Sequence, residues 1–374
     1  MKLWINKHTI FYFVVTLAMV GMILFGLHSN SRAGNDYFIH GRVVEIVEDR
    51  TSLNEVGARV GTQVLRVQLL AGARRGDIVE ATNRLFPIEH ATYAQVGQRL
   101  LLFFEDGTTR YDYFAHVQSH ERSFGIYAVV LGFFTLLALV FGKTGVKSVF
   151  SLVFTFVVII FLLLPLIVGG GSPIFLTVSL SLCIIVVSLI SIMGFEKKTL
   201  VSILGSALGI LFYGLFYLLI SAVLRISGFN VQEVDLLIVA GLGAGVSELL
   251  FCAILIASLG ALMDVAVSLA SVTAELSGKN TEFKELFSSA MKIGRDIIGS
   301  SSSTLILAFT GSFFIMLILF NVHNTQYAVL INRTDIAIEV LRAISASSAM
   351  VLCAPATAFI GSHMFASENN KKRG

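Results

Sequence analysis

Gly260-Ala261-Leu262-Met263-Asp264-Val265-Ala266-Val267-Ser268-Leu269-Ala270-Ser271 closes a long apolar run, and it carries a carboxylate. At helical spacing Ala253, Ala257, Gly260, Asp264, Ser268, Ser271 and Glu275 share one face, which is small and polar. The opposite face is Leu, Ile, Val and Met. In a bilayer such a helix is expected to pack its small face on neighbouring helices and to point its carboxylate inward, away from lipid. The fold class expected is an α-helical polytopic membrane protein in which other apolar segments supply those neighbours.

Composition agrees. The chain has 374 residues, 55% hydrophobic and 14% charged, whereas charged residues make up roughly a quarter of an average soluble chain. Cys183, Cys252 and Cys353 all lie in apolar segments, so no disulfide framework is available to the polar N-terminal region. His116 and His120, followed by Glu121, would hold a metal only if helical; a wet pair beside a membrane helix is the plainer reading. Nucleotide, dinucleotide, haem and zinc signatures do not occur, so no cofactor and no nucleic-acid partner is expected.

Lys2 and Lys7 precede an apolar run from about Thr9 to Leu27. It reads as an uncleaved anchor rather than a signal peptide, because the run is long and Ser29-Asn30-Ser31 is a poor cleavage site. Residues 1–33 are assigned to this anchor. Residues 34–121 change character. Short β-type runs (Phe38–Val47, Gln63–Leu70, Asp77–Ala81, Arg99–Phe104, Arg110–Val117) alternate with turn-like pieces, which predicts a small β-barrel of the OB or SH3-like kind. Residues 122–366 form the membrane domain, and 367–374 a basic tail.

The apolar segments predict about eight transmembrane helices: the anchor, Ser123–Phe141, Val149–Val168, Ile174–Met193, Leu200–Leu224, Glu248 through Asp264, Ile297–Phe320 and Asp335 to about Phe365. The run from Leu236 to Ser271 would be about 54 Å long as one helix, against a hydrocarbon core of about 30 Å. A break is expected at Gly241–Gly245, with Ser247 as the N-cap, and Leu236–Ala240 either re-entrant or lying on the surface. Thr281–Ile293 is amphipathic and reads as a helix along the membrane face. With the N-terminus inside, Lys143/Lys147, Lys197/Lys198, Lys279/Lys284/Lys292 and the Lys-rich tail all fall on the cytoplasmic side. Both termini are then cytoplasmic and residues 34–121 extracytoplasmic.

Four stretches carry a family resemblance: LGALMDVAVSLAS (Leu259–Ser271), MKIGRDIIGSSSSTLILAFTG (Met291–Gly311), INRTDIAIEVLRAI (Ile331–Ile344) and APATA (Ala354–Ala358). With the preceding spans, residues from about Ser123 to Ala366 resemble the YibE/F family of bacterial membrane proteins. The anchor and small exterior domain look like the YibE-type member. The resemblance implies a multi-pass protein of the bacterial plasma membrane, and a YibF-like companion subunit or a homo-oligomer as partner besides the bilayer. It supplies no substrate. Four serines, Ser300–Ser303, stand where the family usually has a small or Asn-rich entry.

Asp264 is the sharpest candidate, since an isolated intramembrane carboxylate must be protonated, paired or facing water. Arg295, entering from the same side on the next span, is its expected partner; the alternative is an ion pair that only fixes packing. Asp296, Ser300, Ser303 and Thr304 add a second carboxylate and hydroxyls that either coordinate a cation or let helices approach. Ser268 and Glu275 continue the stripe. An outer constellation joins Glu339 and Arg342, one turn apart, with Glu248 facing Arg342 across a vestibule. Asp335, Ala346, Ala349 and Cys353 share the Glu339/Arg342 face. Asn332 and Thr334 are expected to cap the last helix, Pro355 to kink it, and Gly361 to serve packing. The leading function is a transporter or permease component moving an unidentified small solute or ion, coupled through Asp264. The runner-up is a scaffold or sensor whose exterior barrel binds an envelope partner. Enzymatic activity is not expected: an intramembrane hydrolase would have only Ser268 near Asp264 to work with, and His363 at a membrane edge.

Overall fold

The computed structural model describes residues 7–30, 37–55, 57–72, 74–85, 93–104, 115–226, 246–278 and 282–371. The chain divides into two compact units, residues 31–139, and residues 1–30 with 140–374. The division falls inside an apolar helix rather than at the end of the β region.

The first unit holds five strands, β1 (Tyr37–Leu53), β2 (Arg59–Leu69), β3 (Ile78–Leu85), β4 (Arg99–Phe104) and β5 (Ala115–His120), closed into a barrel in the order β1-β2-β3-β5-β4. The parallel β3–β5 pairing and this order are the OB arrangement, which decides between the two barrel types expected. β1 serves two neighbours, β2 along its length and β4 at its start, and two bulges, between Val43/Glu45 and Ile46/Glu48, let it bend. Alternation places Val43, Leu65, Val67, Leu69, Ala81, Leu100 and Leu102 inside. A polar knot lies among them: Gln63 accepts from Ala94 N–H at 3.0 Å and from the Asn83 amide at 2.9 Å. β5 runs three residues beyond the end of the expected strand, whose residues 110–114 lie outside the described ones, and it puts His116 and His120 on a strand. The helical metal reading therefore fails, and no group of three metal-ligating side chains exists among the described residues.

The barrel chain passes into α2 (Ser123–Val158), broken at Gly142 (φ 57°, ψ −130°), a conformation glycine adopts without steric cost. A π-turn (Ile159–Leu163) and α3 (Leu164–Val168) continue it, and the wider turn accommodates Pro165, which cannot donate to the helical ladder. The glycine turn leads to α4 (Pro173–Met193), then α5 (Lys197–Leu224). The expected break at Gly241–Gly245 and the segment Leu236–Ala240 lie outside the described residues. Beyond them α6 (Val246–Ser277) is one helix. Ser247 sits inside it, so it is not the N-cap.

Two boundaries differ from expectation. The amphipathic segment and the seventh span are one helix, α7 (Phe283–Ser312), because Gly294 packs tightly and leaves the ladder intact. Its would-be Cβ is 3.1 Å from Leu269. The break comes instead at Phe313, where α8 (Phe314–Val322) departs by 55°. After α9 (Tyr327–Ile331), α10 (Thr334–Lys371) runs through Pro355 as one element. Asn332 caps no helix start; its amide donates to Ala328 O at 2.8 Å and closes α9.

Five helices are long and apolar enough to cross a membrane, or six if α7 and α8 count as one bent span, among the described residues. In the second unit α10 packs on α5, α6 and α7, and α6 also on α4 and α5. α1 (Lys7–Asn30) meets this bundle through Tyr12, whose hydroxyl donates to Ser191 O at 2.9 Å, and through Val15 in the core.

Candidate functional site

The polar stripe on α6 is real but faces the other way. Leu262, Val265, Ala266, Leu269 and Ala270 are completely buried, while Ala253, Ala257, Gly260, Asp264 and Glu275 are exposed and Ser268 and Ser271 are half-buried. The large apolar side chains make the core, and the small polar face has no covering among the described residues; a side chain at Gly260 would meet nothing within 4 Å. The inward-pointing carboxylate expected from the sequence is thus corrected to an outward-pointing one.

Arg295 is not its partner. Leu269 is the residue of α6 that meets α7 at Gly294. Asp264, five residues earlier, is turned about 140° away from that contact. No ion pair or hydrogen bond engages the side chains of Asp264, Arg295, Asp296 or Glu275 among the described residues. On α7 the buried residues are Leu286, Ala290, Gly294 and Leu305. Arg295, Asp296, Ser300, Ser303 and Thr304 are exposed, and the hydroxyls of Ser303 and Thr304 donate back to Gly299 O and Ser300 O. The inner layer is therefore two polar surfaces, on α6 and on α7, and not an assembled cluster.

The outer constellation is assembled in part. Arg342 pairs with Glu339 at 2.9 Å, both side chains largely covered, and its guanidinium lies 5.9 Å from the Phe309 ring centroid and within electrostatic reach of Tyr213. The second carboxylate oxygen of Glu339 is buried without a partner among the described residues. Glu248 is half-buried on α6 and forms no ion pair with Arg342. Tyr213 is fully buried in the core; its hydroxyl donates to Phe251 O at 2.9 Å, and its ring stands 5.1 Å from that of Phe251. Along α10 the stripe turns inward: Ala346, Ala349 and Cys353 are buried.

Sequence reasoning missed the tightest contact, between α5 and α10. A side chain on Gly205 would overlap Thr357, and one on Gly209 would come within 2.9 Å of Leu262 and 3.4 Å of Cys353. The Cys353 thiol lies 3.4 Å from Gly205 O, and the Thr357 hydroxyl donates to Cys353 O at 2.8 Å. The signal was present, since Ser202, Gly205, Ser206 and Gly209 repeat small residues at helical spacing. Gly361 is a packing glycine as expected: a Cβ there would come within 3.1 Å of Thr273.

Long apolar helices around a buried apolar core, with ionisable side chains on α6, α7 and α10, define a multi-pass membrane protein. Residues 129–367 match the YibE/F-like protein family, and the chain belongs to that family. No curated protein and no solved structure matches it.

Proposed function

We propose that this chain is a transporter or permease component of the bacterial plasma membrane, with a polar path along the outer face of α6 and α7 rather than through the middle of its own bundle. One observation carries the reading: Asp264 stands exposed, and unpaired among the described residues, in a stripe of Ala, Gly and Ser on a helix of membrane-crossing length. A carboxylate left against hydrocarbon costs roughly 2.5–3.5 kcal/mol on insertion scales. Small residues beside it suit close approach of another helix. A second copy of this chain or a YibF-like companion closes the path. The moving species is an ion or small solute, and Asp264 carries the coupling proton.

Eight crossings fit this reading. Gly142 divides a run of 46 residues (Ser123–Val168), which at 1.5 Å per residue is about 69 Å, into two membrane-sized pieces. α1, α4, α5, α6, the bent α7–α8 pair and α10 supply the other six. The lysine distribution then keeps both termini cytoplasmic and the barrel extracytoplasmic.

The test is proton movement after a pH jump in liposomes holding an internal pH dye. Wild type should conduct and Asp264→Asn should not, with equal incorporation of the two proteins. Equal flux in both would sink the coupling role. A second reading, a scaffold whose barrel binds an envelope partner, draws on the barrel's being a compact unit apart from most of the helices. Deletion of residues 37–120 separates the two, because a transporter core keeps flux and a scaffold loses its partner.

A further inference from the structure

The outer face of β1 and β4 holds positive charge that the barrel does not neutralise. Arg42 and Arg99 are both exposed and stand directly opposite each other across the β1–β4 ladder, where Cβ atoms are about 4.5–5.5 Å apart and like charges repel. Three arginines elsewhere on the barrel have acids to hand: Arg66 lies at 3.0 Å from Glu45 and 4.0 Å from Glu80, Arg50 at 2.6 Å from Glu48 and Arg74 at 3.3 Å from Asp77. Arg42 and Arg99 have none among the described residues. A third exposed arginine, Arg122, follows at once, since Glu121 N–H donates to Arg99 O at 3.1 Å.

The next residue begins α2, and its first turn is fixed to the barrel. The Ser123 hydroxyl donates to Glu121 Oε1 at 3.2 Å, and the same oxygen lies 3.7 Å from His40 Nδ1. Along the same outer face His40 opposes Leu101, and Phe38 opposes Phe103 with ring centroids 5.4 Å apart; Phe38 is 52% exposed. The chain reaches this face at Tyr37 and leaves it at Glu121, at opposite ends of the β1–β4–β5 ladder. α2 starts two residues after Glu121, so the Arg42–Arg99 end of this ladder stands at the start of a helix of membrane-crossing length.

We propose that the β1–β4 outer face rests on the bilayer surface, a lipid phosphate bridging Arg42 and Arg99 while Phe38 and Phe103 enter the headgroup region. Arginine takes phosphate through paired N–H donors, and aromatic rings settle at headgroup depth. The β2–β3 face, where OB barrels take oligonucleotides and oligosaccharides, is crossed by the Glu45–Arg66–Glu80 charges and holds no ring in either strand. This inference rests on membrane insertion and is independent of transport.

Trp4 is the only tryptophan in the chain, so full-length protein carrying Trp4→Phe with Phe38→Trp or Phe103→Trp reports one site at a time. In vesicles of phosphatidylcholine and phosphatidylglycerol with bromines near the headgroup end of the acyl chains, both proteins should lose tryptophan emission. The Ile78→Trp control on β3, an exposed site away from this face, should keep it. Adding Arg42→Gln and Arg99→Gln should remove the dependence of quenching on phosphatidylglycerol while circular dichroism stays unchanged. Equal quenching at 38, 103 and 78, or none at any, overturns the docking. Phosphatidylglycerol dependence that survives both arginine changes overturns the phosphate bridge.

Discussion

Asp264 and Asp49 are aspartates in opposite circumstances. Asp49 sits on the rim of the barrel with every donor it needs: the Thr51 hydroxyl at 2.6 Å, the Thr51 N–H at 3.0 Å and the Tyr93 hydroxyl at 2.7 Å, with Arg59 stacked 4.1 Å over the Tyr93 ring. The Thr51 hydroxyl first, and Tyr93 second, hold its carboxyl below the usual range. A group lowered on folding contributes stability above its unfolded value of about 3.9, and that contribution is lost as pH falls through the lower folded value. Thermal unfolding of the purified protein should therefore show an acid loss below about pH 4 that Asp49→Asn flattens. An identical acid profile in the variant contradicts this. Asp264 has no donor of its own among the described residues, and that contrast makes it the residue to question. Its existence was legible in the sequence. Its direction was not, because the 3.6-residue period fixes which residues share a face and leaves open which face is covered.

Two helices with the same stripe pattern were turned in opposite directions. On α10 the small residues Ala346, Ala349 and Cys353 face the core; on α6 Ala253, Ala257 and Gly260 face out. What separates them is the opposite face. α6 offers Leu255, Leu259, Leu262 and Leu269 to fill the bundle. α10 instead meets the glycines of α5, where only small residues fit. This contact should be the stability anchor of the helical unit. Gly205→Val is expected to cost about 1–3 kcal/mol through overpacking, read as a lower thermal midpoint in detergent, and Thr357→Ala on the same background should recover part of it. Lack of recovery would place the cost elsewhere. The spans themselves were legible from apolar run length. The continuity of α7 through Gly294 was not, because a charged stretch before an apolar one reads as two elements until the Leu269 contact shows that one straight helix serves both.

Across the whole molecule, alternation and turn residues announced a barrel, and pairing β3 with β5 made it the OB kind, a long-range choice that local sequence does not encode. The same limit applies to the candidate site. Glu339 and Arg342 are one turn apart and pair through local geometry, whereas Asp264 and Arg295 depended on the rotation of two helices about their axes. Asp264 looks out of its own bundle, and treating the reconstituted protein with a hydrophobic carbodiimide and mapping the modified carboxyls by mass spectrometry tests this most directly. An adduct is expected on Asp264, absent in Asp264→Asn, with little on the largely covered Glu339. An unmodified Asp264 beside a modified Glu339 would contradict it.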